Sequence, residues 1–145
     1  MKDFLHFKKL NPDAVLPTRS YPGDAAVDLT VVAIVYDSES DTLIYHTGLA
    51  VEIPTGFVGL LFMRSSAVKL GAVLKNAVGV IDSSYRGEIT LRYMHVTGKL
   101  KTPIRGDKVG QLVLVRFLEL EPKFVSELSE TERGIKGFGS TGKVN

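Results

Sequence analysis

The C-terminal segment 133–143 reads Arg-Gly-Ile-Lys-Gly-Phe-Gly-Ser-Thr-Gly-Lys and shows no apolar periodicity. Such a segment cannot bury enough surface to fold alone. Its glycines let backbone N–H groups approach a ligand closely, while its hydroxyl groups and Arg133 can donate hydrogen bonds to phosphate oxygens. Phe138 offers a flat ring that can cover a base. We therefore interpret the segment as a flexible arm that closes over a nucleotide, and the alternative is a frayed, solvated terminus.

A second group that could bind an anion is Arg64-Ser65-Ser66. It precedes a stretch of helix-forming residues that ends at Gly71. The spacing predicts a short helix with serine N-caps and a glycine stop. Free backbone N–H groups and the positive end of the helix dipole attract anions there. A serine cap alone explains the two hydroxyl groups, but it does not account for the arginine.

Segment 75–88 contains the residue types that base recognition and water activation need. The Asn76 amide carries both donors and an acceptor, so it can read the edge of a pyrimidine. Gly79 permits close backbone approach. Asp82 follows an apolar pair, so we expect it to be partly desolvated and able to take a proton from water. Tyr85 can wall off one side of a sugar. A hairpin turn built on Asp-Ser-Ser is the competing interpretation of Asp82.

Two further polar residues lie in apolar β segments. Asp28 is costly inside such a run unless it is paired, so we expect either a partner or a hydrated metal beside it. A structural ion pair would satisfy it equally well. Gln111 follows the turn 106–110 and begins a strand, where it can face a ligand or form a polar edge.

The sequence lacks the residues that several classes of function require. His6, His46 and His95 are scattered without ligand spacing, and we interpret each as a surface or packing residue. Zincin, Walker and G-x-S-x-G motifs are missing, so Ser-His-Asp catalysis is not expected. The chain has no cysteine, which suits a reducing cytoplasm. The net charge is +2 and there is no run of Lys and Arg, so stable nucleic-acid binding is not expected. No apolar stretch approaches 18 residues and the N-terminus has no long apolar core, so neither a membrane span nor a signal peptide is expected.

The elements that must position these groups are mostly strands. A chain of 145 residues is one domain by length. Residues 89, 91 and 93 alternate with polar neighbours, which indicates one buried and one polar face. The density of Val and Leu in 111–120 indicates a strand covered on both faces. Further strands are predicted over 27–35, 49–53 and 57–62, the last two around a Pro-x-Gly turn. With one short helix, this pattern predicts an all-β sandwich or barrel.

Taken in order, these signals resemble the five motifs of the trimeric deoxyuridine triphosphate nucleotidohydrolases (dUTPases). The matching residues are 25–29, 64–66, 76–87, 106–112 and 133–142. The resemblance implies a jelly-roll-like β domain over residues 1–130, a flexible arm over 131–145, and a homotrimer in which each site draws on all three subunits. It implies hydrolysis of dUTP to dUMP and pyrophosphate in the cytoplasm of the cell, or of a host cell for a viral protein.

The resemblance also implies a role for each matching residue. Asp82 is expected to orient and deprotonate the attacking water, and Tyr85 to pack under the deoxyribose. Asp28 is expected to act through the water shell of Mg²⁺. The residues expected to bind uracil are Asn76, Gly79 and Val80, with the backbone around them. Those expected to bind phosphates are Arg64, Ser65, Ser66 and Gln111, and those of the arm are Arg133, Phe138, Gly139, Ser140 and Thr141.

The chain departs from the family pattern at Ala26, Met63, Lys108 and Lys136, none of which removes a proposed catalytic group. Lys108 keeps a positive charge but lacks the arginine fork. One alternative is the related dCTP deaminase branch, whose Thr-Leu-Glu base appears here as Thr90-Leu91-Arg92, and arginine cannot act as the base. The other alternative is a non-catalytic nucleotide-sensing module on the same scaffold.

Overall fold

The computed structural model describes residues 4–96 and 102–137 of the chain, apart from the side chains of Val68 and His95. These residues form ten β-strands and one short 3₁₀ helix, Ser65–Leu70. The strands are β1 His6–Lys9, β2 Ala26–Thr30, β3 Ala33–Asp37, β4 Thr42–His46, β5 Leu49–Glu52, β6 Phe57–Phe62, β7 Ala72–Leu74, β8 Gly79–Ile81, β9 Thr90–His95 and β10 Lys108–Arg116.

The strands form two four-stranded sheets, with orders β2-β10-β6-β8 and β3-β4-β9-β7, and a two-stranded sheet of β1 and β5. Every pairing is antiparallel. Both larger sheets contribute to one buried core, in which Leu29 and Leu112 of the first sheet pack with Leu91 and Tyr93 of the second. The predicted all-β, jelly-roll-like fold is therefore confirmed.

A buried tyrosine links the two larger sheets. The Tyr93 hydroxyl donates a hydrogen bond of 2.5 Å to the backbone carbonyl of Val109, which begins the buried part of β10. Its ring meets that of Tyr45 edge to face at 5.3 Å. Burial raises the pKa of Tyr93 to about 12, so the hydroxyl stays a donor at neutral pH. The predicted alternation is confirmed as well, because Ile89, Leu91 and Tyr93 are all buried.

Two strand predictions need correction. The single strand predicted over 27–35 is two strands, β2 and β3, which belong to different sheets and are separated at residues 31–32. The strand predicted over 111–120 is β10, which begins at Lys108 and ends at Arg116. The prediction that both of its faces are covered is wrong for a single chain, because Val115 is 40% exposed.

The predicted helix is present, but its type and its cap differ from the prediction. Ser65 and Ser66 lie inside the 3₁₀ helix, and the capping position falls on Arg64, which makes no side-chain cap hydrogen bond. The glycine stop is confirmed, since Gly71 has a φ of 57°. Six residues of 3₁₀ helix provide few aligned peptide dipoles. Any attraction for anions here therefore depends on the Arg64 guanidinium and the hydroxyl groups.

After β10 the chain runs from residue 117 to residue 137 without a further strand or helix. Large apolar side chains remain exposed in this tail, including Leu118 at 82%, Phe124 at 103% and Leu128 at 86%. Among the helices of residues 4–96 and 102–137, none has the length and apolar character that crossing a membrane requires.

Candidate active site

A polar cleft of about 380 Å³ lies where β2, β10 and the end of β6 meet. The strand register explains this meeting, because Gln111 of β10 is paired with Asp28 on one side and with Phe62 on the other. Arg64 lies two residues after the end of β6 and reaches the same place. The cleft is lined by Ser20, Asp24, Ala25, Ala26, Asp28, Arg64, Ser65 and Gln111.

Asp28 is the buried centre of this cleft, with 8% of its surface exposed. Its Oδ1 accepts from Arg64 Nε at 2.8 Å, and its Oδ2 accepts from Lys108 Nζ at 2.8 Å and from the Ser20 hydroxyl at 3.3 Å. Desolvation by burial raises the pKa of Asp28, but the Lys108 hydrogen bond and the charges of Arg64 and Lys108 outweigh it and lower the pKa overall. The expected partner of Asp28 is therefore present, because Arg64 and Lys108 both form ion pairs with its carboxylate.

These contacts hold Arg64 in one orientation. Its Nε and Nη2 are both directed to the Asp28 carboxylate, and Nη1 lies 3.4 Å from the Ser66 hydroxyl. The Nη1 group and the exposed Ser65 and Ser66 hydroxyls are the donors left for a ligand. Gln111 donates from Nε2 to the Met63 carbonyl at 2.9 Å, which leaves its amide oxygen as an acceptor. The predicted phosphate residues 64, 65, 66 and 111 therefore lie together.

Lys108 contacts Asp28 through one nitrogen only, as expected of lysine in place of a forked guanidinium. Its side chain is 40% exposed, whereas that of Asp28 is 9% exposed. Arg64 therefore supplies the geometric constraint on the carboxylate, and Lys108 supplies a second charge.

A separate cleft of about 280 Å³ lies beside the turn that joins β7 to β8. It contains the predicted Asn76 and Gly79, and it is lined by Leu61, Leu74, Lys75, Asn76, Gly79, Thr90 and Arg92. Strand β7 pairs with β9 only from Tyr93 onwards, so within the described residues no strand covers the β9 edge at Thr90 on this side. Backbone groups of that edge are available to a ligand in the cleft.

The turn itself is tight. Ala77 has a φ of 58°, an uncommon conformation for a residue with a side chain, and its amide donates to the Leu74 carbonyl at 2.9 Å. A Cβ added at Gly79 would lie 3.0 Å from the Leu61 side chain, so a larger residue would crowd the cleft. Val80 points away and is 63% exposed.

Asp82 and Tyr85 lie on a loop after β8 and line neither cleft. The Tyr85 amide donates to the Asp82 carbonyl at 3.0 Å, so a turn is present as the competing interpretation held, but β8 and β9 lie in different sheets and do not form a hairpin. The expectation that Asp82 is partly desolvated is wrong for this single chain, where its side chain is exposed. Tyr85 is 45% exposed, its hydroxyl donates to the Glu88 carbonyl at 3.0 Å, and a Cβ at Gly87 would lie 2.5 Å from its ring.

Arg133 is exposed in the tail, where its Nε donates to the Lys136 carbonyl at 3.0 Å, so it joins neither cleft. The other predicted arm residues, Phe138, Gly139, Ser140 and Thr141, lie outside the described residues.

One polar cluster that bears on this loop was not expected from the sequence. Glu88 accepts from the Gly48 amide at 2.7 Å and lies 2.9 Å from His46 Nδ1. Its backbone carbonyl also holds Tyr85. His46 is thus a packing residue, as interpreted, but the cluster joins residues about 40 positions apart, which no local pattern reveals.

Comparison with known proteins identifies the family. The model of the dUTPase family matches residues 13–142. The chain belongs to the dUTPase family. It is 39% identical to a deoxyuridine 5′-triphosphate nucleotidohydrolase of Nocardia farcinica, and the alignment covers 93% of this chain and 83% of the relative.

Solved dUTPases also share the fold. A mutant dUTPase of Staphylococcus bacteriophage 80alpha with dUpNHpp superposes with a TM-score of 0.81 and 28% identity, over 98% of this chain and 100% of that one. A mutant dUTPase from phage phi11 of S. aureus, described as showing the coordination of a structural Mg(II) ion, gives a TM-score of 0.71 and 27% identity, over 86% and 98% of the two chains.

The residues of this dUTPase are better suited to a metal ion that enters bound to the nucleotide than to one that protein side chains alone coordinate. In the part of the chain that the structure describes, no three His, Cys, Asp or Glu side chains are grouped for a metal. Asp28 already accepts hydrogen bonds from two cations, so it is poorly suited to bind Mg²⁺ directly. Magnesium commonly keeps several waters and takes its other ligands from substrate phosphates. An indirect contact of Asp28 with such waters agrees with this arrangement.

We expect Asp28→Asn to lower the free energy of unfolding by about 2 kcal/mol at neutral pH, because Arg64 and Lys108 lose their carboxylate. The loss should stay below that of a fully buried pair, since these two cations are 29% and 40% exposed. Denaturant unfolding at fixed protein concentration measures it. Asp13→Asn, which breaks an exposed pair with Arg105, is the matched control and should change little.

The same variant should show a defined pH dependence. The folded-state pKa of Asp28 lies below its ordinary value of 3.8, so its contribution is fully present above that value. It is lost as the pH falls through the lower folded-state pKa, where the carboxyl group becomes protonated. The stability difference between parent and Asp28→Asn should therefore be constant near neutrality and shrink below about pH 4. A difference that grows with acidity would contradict this assignment.

Proposed function

We propose that this chain hydrolyses dUTP to dUMP and pyrophosphate and so limits the incorporation of uracil into DNA. The observation that carries the proposal is the polar cleft around Asp28, where Arg64, Ser65 and Gln111 are held beside one another in a member of the dUTPase family. The chain also offers a second, less polar cleft of base-like dimensions at Asn76 and Gly79. The lack of cysteine is compatible with action in a reducing cytoplasm.

Uracil is the base that suits the second cleft. Asn76 can donate to a carbonyl and accept from a ring N–H, and the backbone of residues 77–80 and the free β9 edge add further polar groups. Cytosine presents an amine where uracil has a carbonyl, so it would leave some of these groups unpaired. The tight approach of Gly79 to Leu61 leaves little room for the methyl group of thymine. A site of this kind can reject a mismatched base by roughly 10⁴-fold.

Asp82 and Tyr85 complete the proposed site. Tyr85 packs under the deoxyribose and excludes a 2′-hydroxyl group. Asp82 accepts a proton from the water that attacks the α-phosphorus in line, which makes the water a better nucleophile. The Tyr85 amide donates to the Asp82 carbonyl, so the backbones of the two residues lie in one turn.

The phosphates bind in the polar cleft and under the arm. Arg64 Nη1 and the two serine hydroxyls donate to phosphate oxygens, and Gln111 adds a polar contact. Arg133, Phe138, Gly139, Ser140 and Thr141 close over the nucleotide from residues 131–145. Mg²⁺ that enters with the nucleotide would neutralise charge on the leaving pyrophosphate. Asp28 would contact water molecules of that ion, and the protein would contribute chiefly positioning and electrostatics.

A homotrimer is part of the proposal. Residues 113–128 expose apolar side chains that a single chain leaves in water, such as Val115, Leu118 and Phe124. The two clefts also share no lining residue within one chain, and Asp82 lines neither of them. We propose that residues 113–128 pack against a second copy, in an assembly that places the polar cleft of one subunit beside the base cleft of another.

We expect pyrophosphate release from dUTP to exceed release from dATP, dCTP, dGTP and dTTP by about 10⁴-fold, and to fall when Mg²⁺ is removed. The measurement is pyrophosphate release across the five nucleotides, with and without Mg²⁺. Ammonia release from dCTP would indicate a deaminase instead. Tight dUTP binding without turnover would indicate a sensing module. Deamination has no support in the residues, since Leu91 is buried and Arg92 cannot accept a proton.

A further inference from the structure

The residue that leads into the base cleft, Lys75, is tied to a distant turn. It follows the last residue of β7 and precedes Asn76. Its backbone amide donates to the Arg92 carbonyl at 2.8 Å, which continues the pairing of β7 with β9. Its ammonium group donates to the Thr42 hydroxyl at 2.9 Å and to the Ser40 carbonyl. Ser40 lies in the turn between β3 and β4, and Thr42 is the first residue of β4, directly after that turn.

That turn is a firm attachment point. The Ser40 hydroxyl donates to Asp37 Oδ2 at 2.6 Å, and the Thr42 hydroxyl donates to the Ser40 carbonyl at 2.9 Å. Thr42 is 1% exposed, so its hydroxyl cannot exchange these partners freely for water. The Ser40 hydrogen bond lowers the pKa of Asp37, as does the charge of Arg92, so Asp37 holds the Ser40 side chain as a charged acceptor.

The turn of residues 75–78 has little else to hold it. Its internal bonds join Ala77 to Leu74 and Val78 to Asn76, and Ala77 adopts the strained positive φ. Asn76, Ala77 and Val78 are exposed, so they gain little from packing. Apart from the backbone bond of Lys75 to Arg92, the contacts of the Lys75 side chain are, among the described residues, the hydrogen bonds that join residues 75–78 to a distant element.

We infer that Lys75 is a positioning residue for base recognition: it anchors the Asn76–Gly79 turn to the β3–β4 turn, so that the Asn76 amide and the backbone of the base cleft keep one geometry. This inference rests on the proposed function for its effect on catalysis, but the anchor itself is a property of the free protein. Lys75 does not need to contact the base, because its ammonium group is already directed to Ser40 and Thr42.

Amide hydrogen exchange of the unliganded protein tests the anchor without any substrate. Lys75→Met keeps an unbranched apolar stem that is one atom shorter and removes the donors. We expect exchange at Ala77 and Val78 to become about five-fold faster, as for the loss of one or two ordinary hydrogen bonds. Lys9→Met is the matched control, because Lys9 is also exposed and donates to a turn carbonyl, that of Pro12. Unchanged exchange at residues 77 and 78 in Lys75→Met would overturn the inference.

Steady-state kinetics tests the consequence. For Lys75→Met we expect KM for dUTP to rise about five-fold with kcat changed less than about twofold, and the preference for dUTP over dCTP to fall. Lys75→Arg should restore the parent values, because a guanidinium group can reach both acceptors. Thr42→Val should reproduce part of the effect, and the double variant should cost less than the two single costs combined.

The outcomes separate the two proposals. A lower melting temperature for Lys75→Met with unchanged KM and unchanged base preference would mean a purely structural residue and would overturn the positioning role. If the parent protein hydrolyses no dUTP while Lys75→Met still accelerates exchange at 77 and 78, the anchor stands and the proposed function is wrong.

Discussion

Asp82→Asn should lower kcat for dUTP hydrolysis by about 10²- to 10⁴-fold, the usual contribution of a general base. Asparagine keeps the size and the hydrogen-bonding oxygen of the side chain but cannot take a proton from water. The Asp82 side chain is exposed, and the turn uses its backbone carbonyl, so the substitution should not disturb the fold. Single-turnover pyrophosphate release measures the chemical step, and equilibrium binding of dUTP checks that the site still forms.

The matched control for this prediction is Asp13→Asn, which neutralises another exposed carboxylate that lines neither cleft. Its pair with Arg105 is exposed on both sides, at 54% and 62%, and so contributes little. Its kcat should equal that of the parent. An Asp82→Asn variant that binds dUTP and turns it over at the parent rate would remove Asp82 from the mechanism, although the family assignment would remain.

Local patterns predicted the parts of this fold that depend on neighbouring residues. The alternation at 89, 91 and 93 gave the buried face of β9 because side chains of a strand point to opposite sides in turn. The turn at 54–56 was readable because proline and glycine restrict the backbone in known ways, and Phe57 does donate to the Pro54 carbonyl at 3.1 Å. Gly71 ended the helix for the same reason.

For contacts between distant residues, the sequence predicted the type of contact but not the residue that makes it. A buried aspartate in an apolar strand needs a partner, so an ion pair for Asp28 was expected. Nothing near residue 28 identifies Lys108 as that partner, because the two are 80 positions apart and meet through the pairing of β10 with β2. The same holds for Lys75 and the β3–β4 turn. Such contacts follow from the order of strands in a sheet, which local residue patterns do not encode.

The position of the helix cap shows a different limit. Serine before a helical stretch predicts a cap because its hydroxyl can replace a missing backbone acceptor. Here Arg64 takes the capping position in an extended conformation with ψ of 156°, and its side chain turns to Asp28. The side chain at the capping position is thus used for a long-range ion pair and not for a cap, which the local pattern of serines does not reveal.

Deleting residues 133–145 should lower kcat/KM for dUTP by about 10²-fold, because the variant loses Arg133 and the other phosphate donors of the arm. Stability should change little, since Arg133 and Ile135 are exposed and the last strand ends at Arg116. The melting temperature should stay within about 2 °C of the parent. A truncated chain that fails to fold would contradict the view that the arm is separate from the core.

Arg133→Gln separates the charge of the arm from its bulk. It keeps the backbone and the aromatic Phe138, so it should lose only part of the activity that the deletion loses. The matched control is Arg105→Gln, which removes an exposed cation outside both clefts and outside residues 113–128. If Arg133→Gln and Arg105→Gln lower kcat/KM equally, the effect of Arg133 is a general loss of positive charge.

Mixing the two inactive proteins tests whether sites are shared between subunits. The Asp82→Asn chain has an intact arm, and the chain lacking 133–145 has an intact Asp82. In a trimer whose sites take Asp82 from one subunit and the arm from another, co-expression should create complete sites, at roughly a quarter of all sites for random assembly of equal amounts. Sites built within one chain would give no recovery, because every chain then lacks one required part. If mixed trimers are more active than either protein alone, Asp82 acts in a site shared between subunits. This would explain why Asp82 lines neither cleft of a single chain.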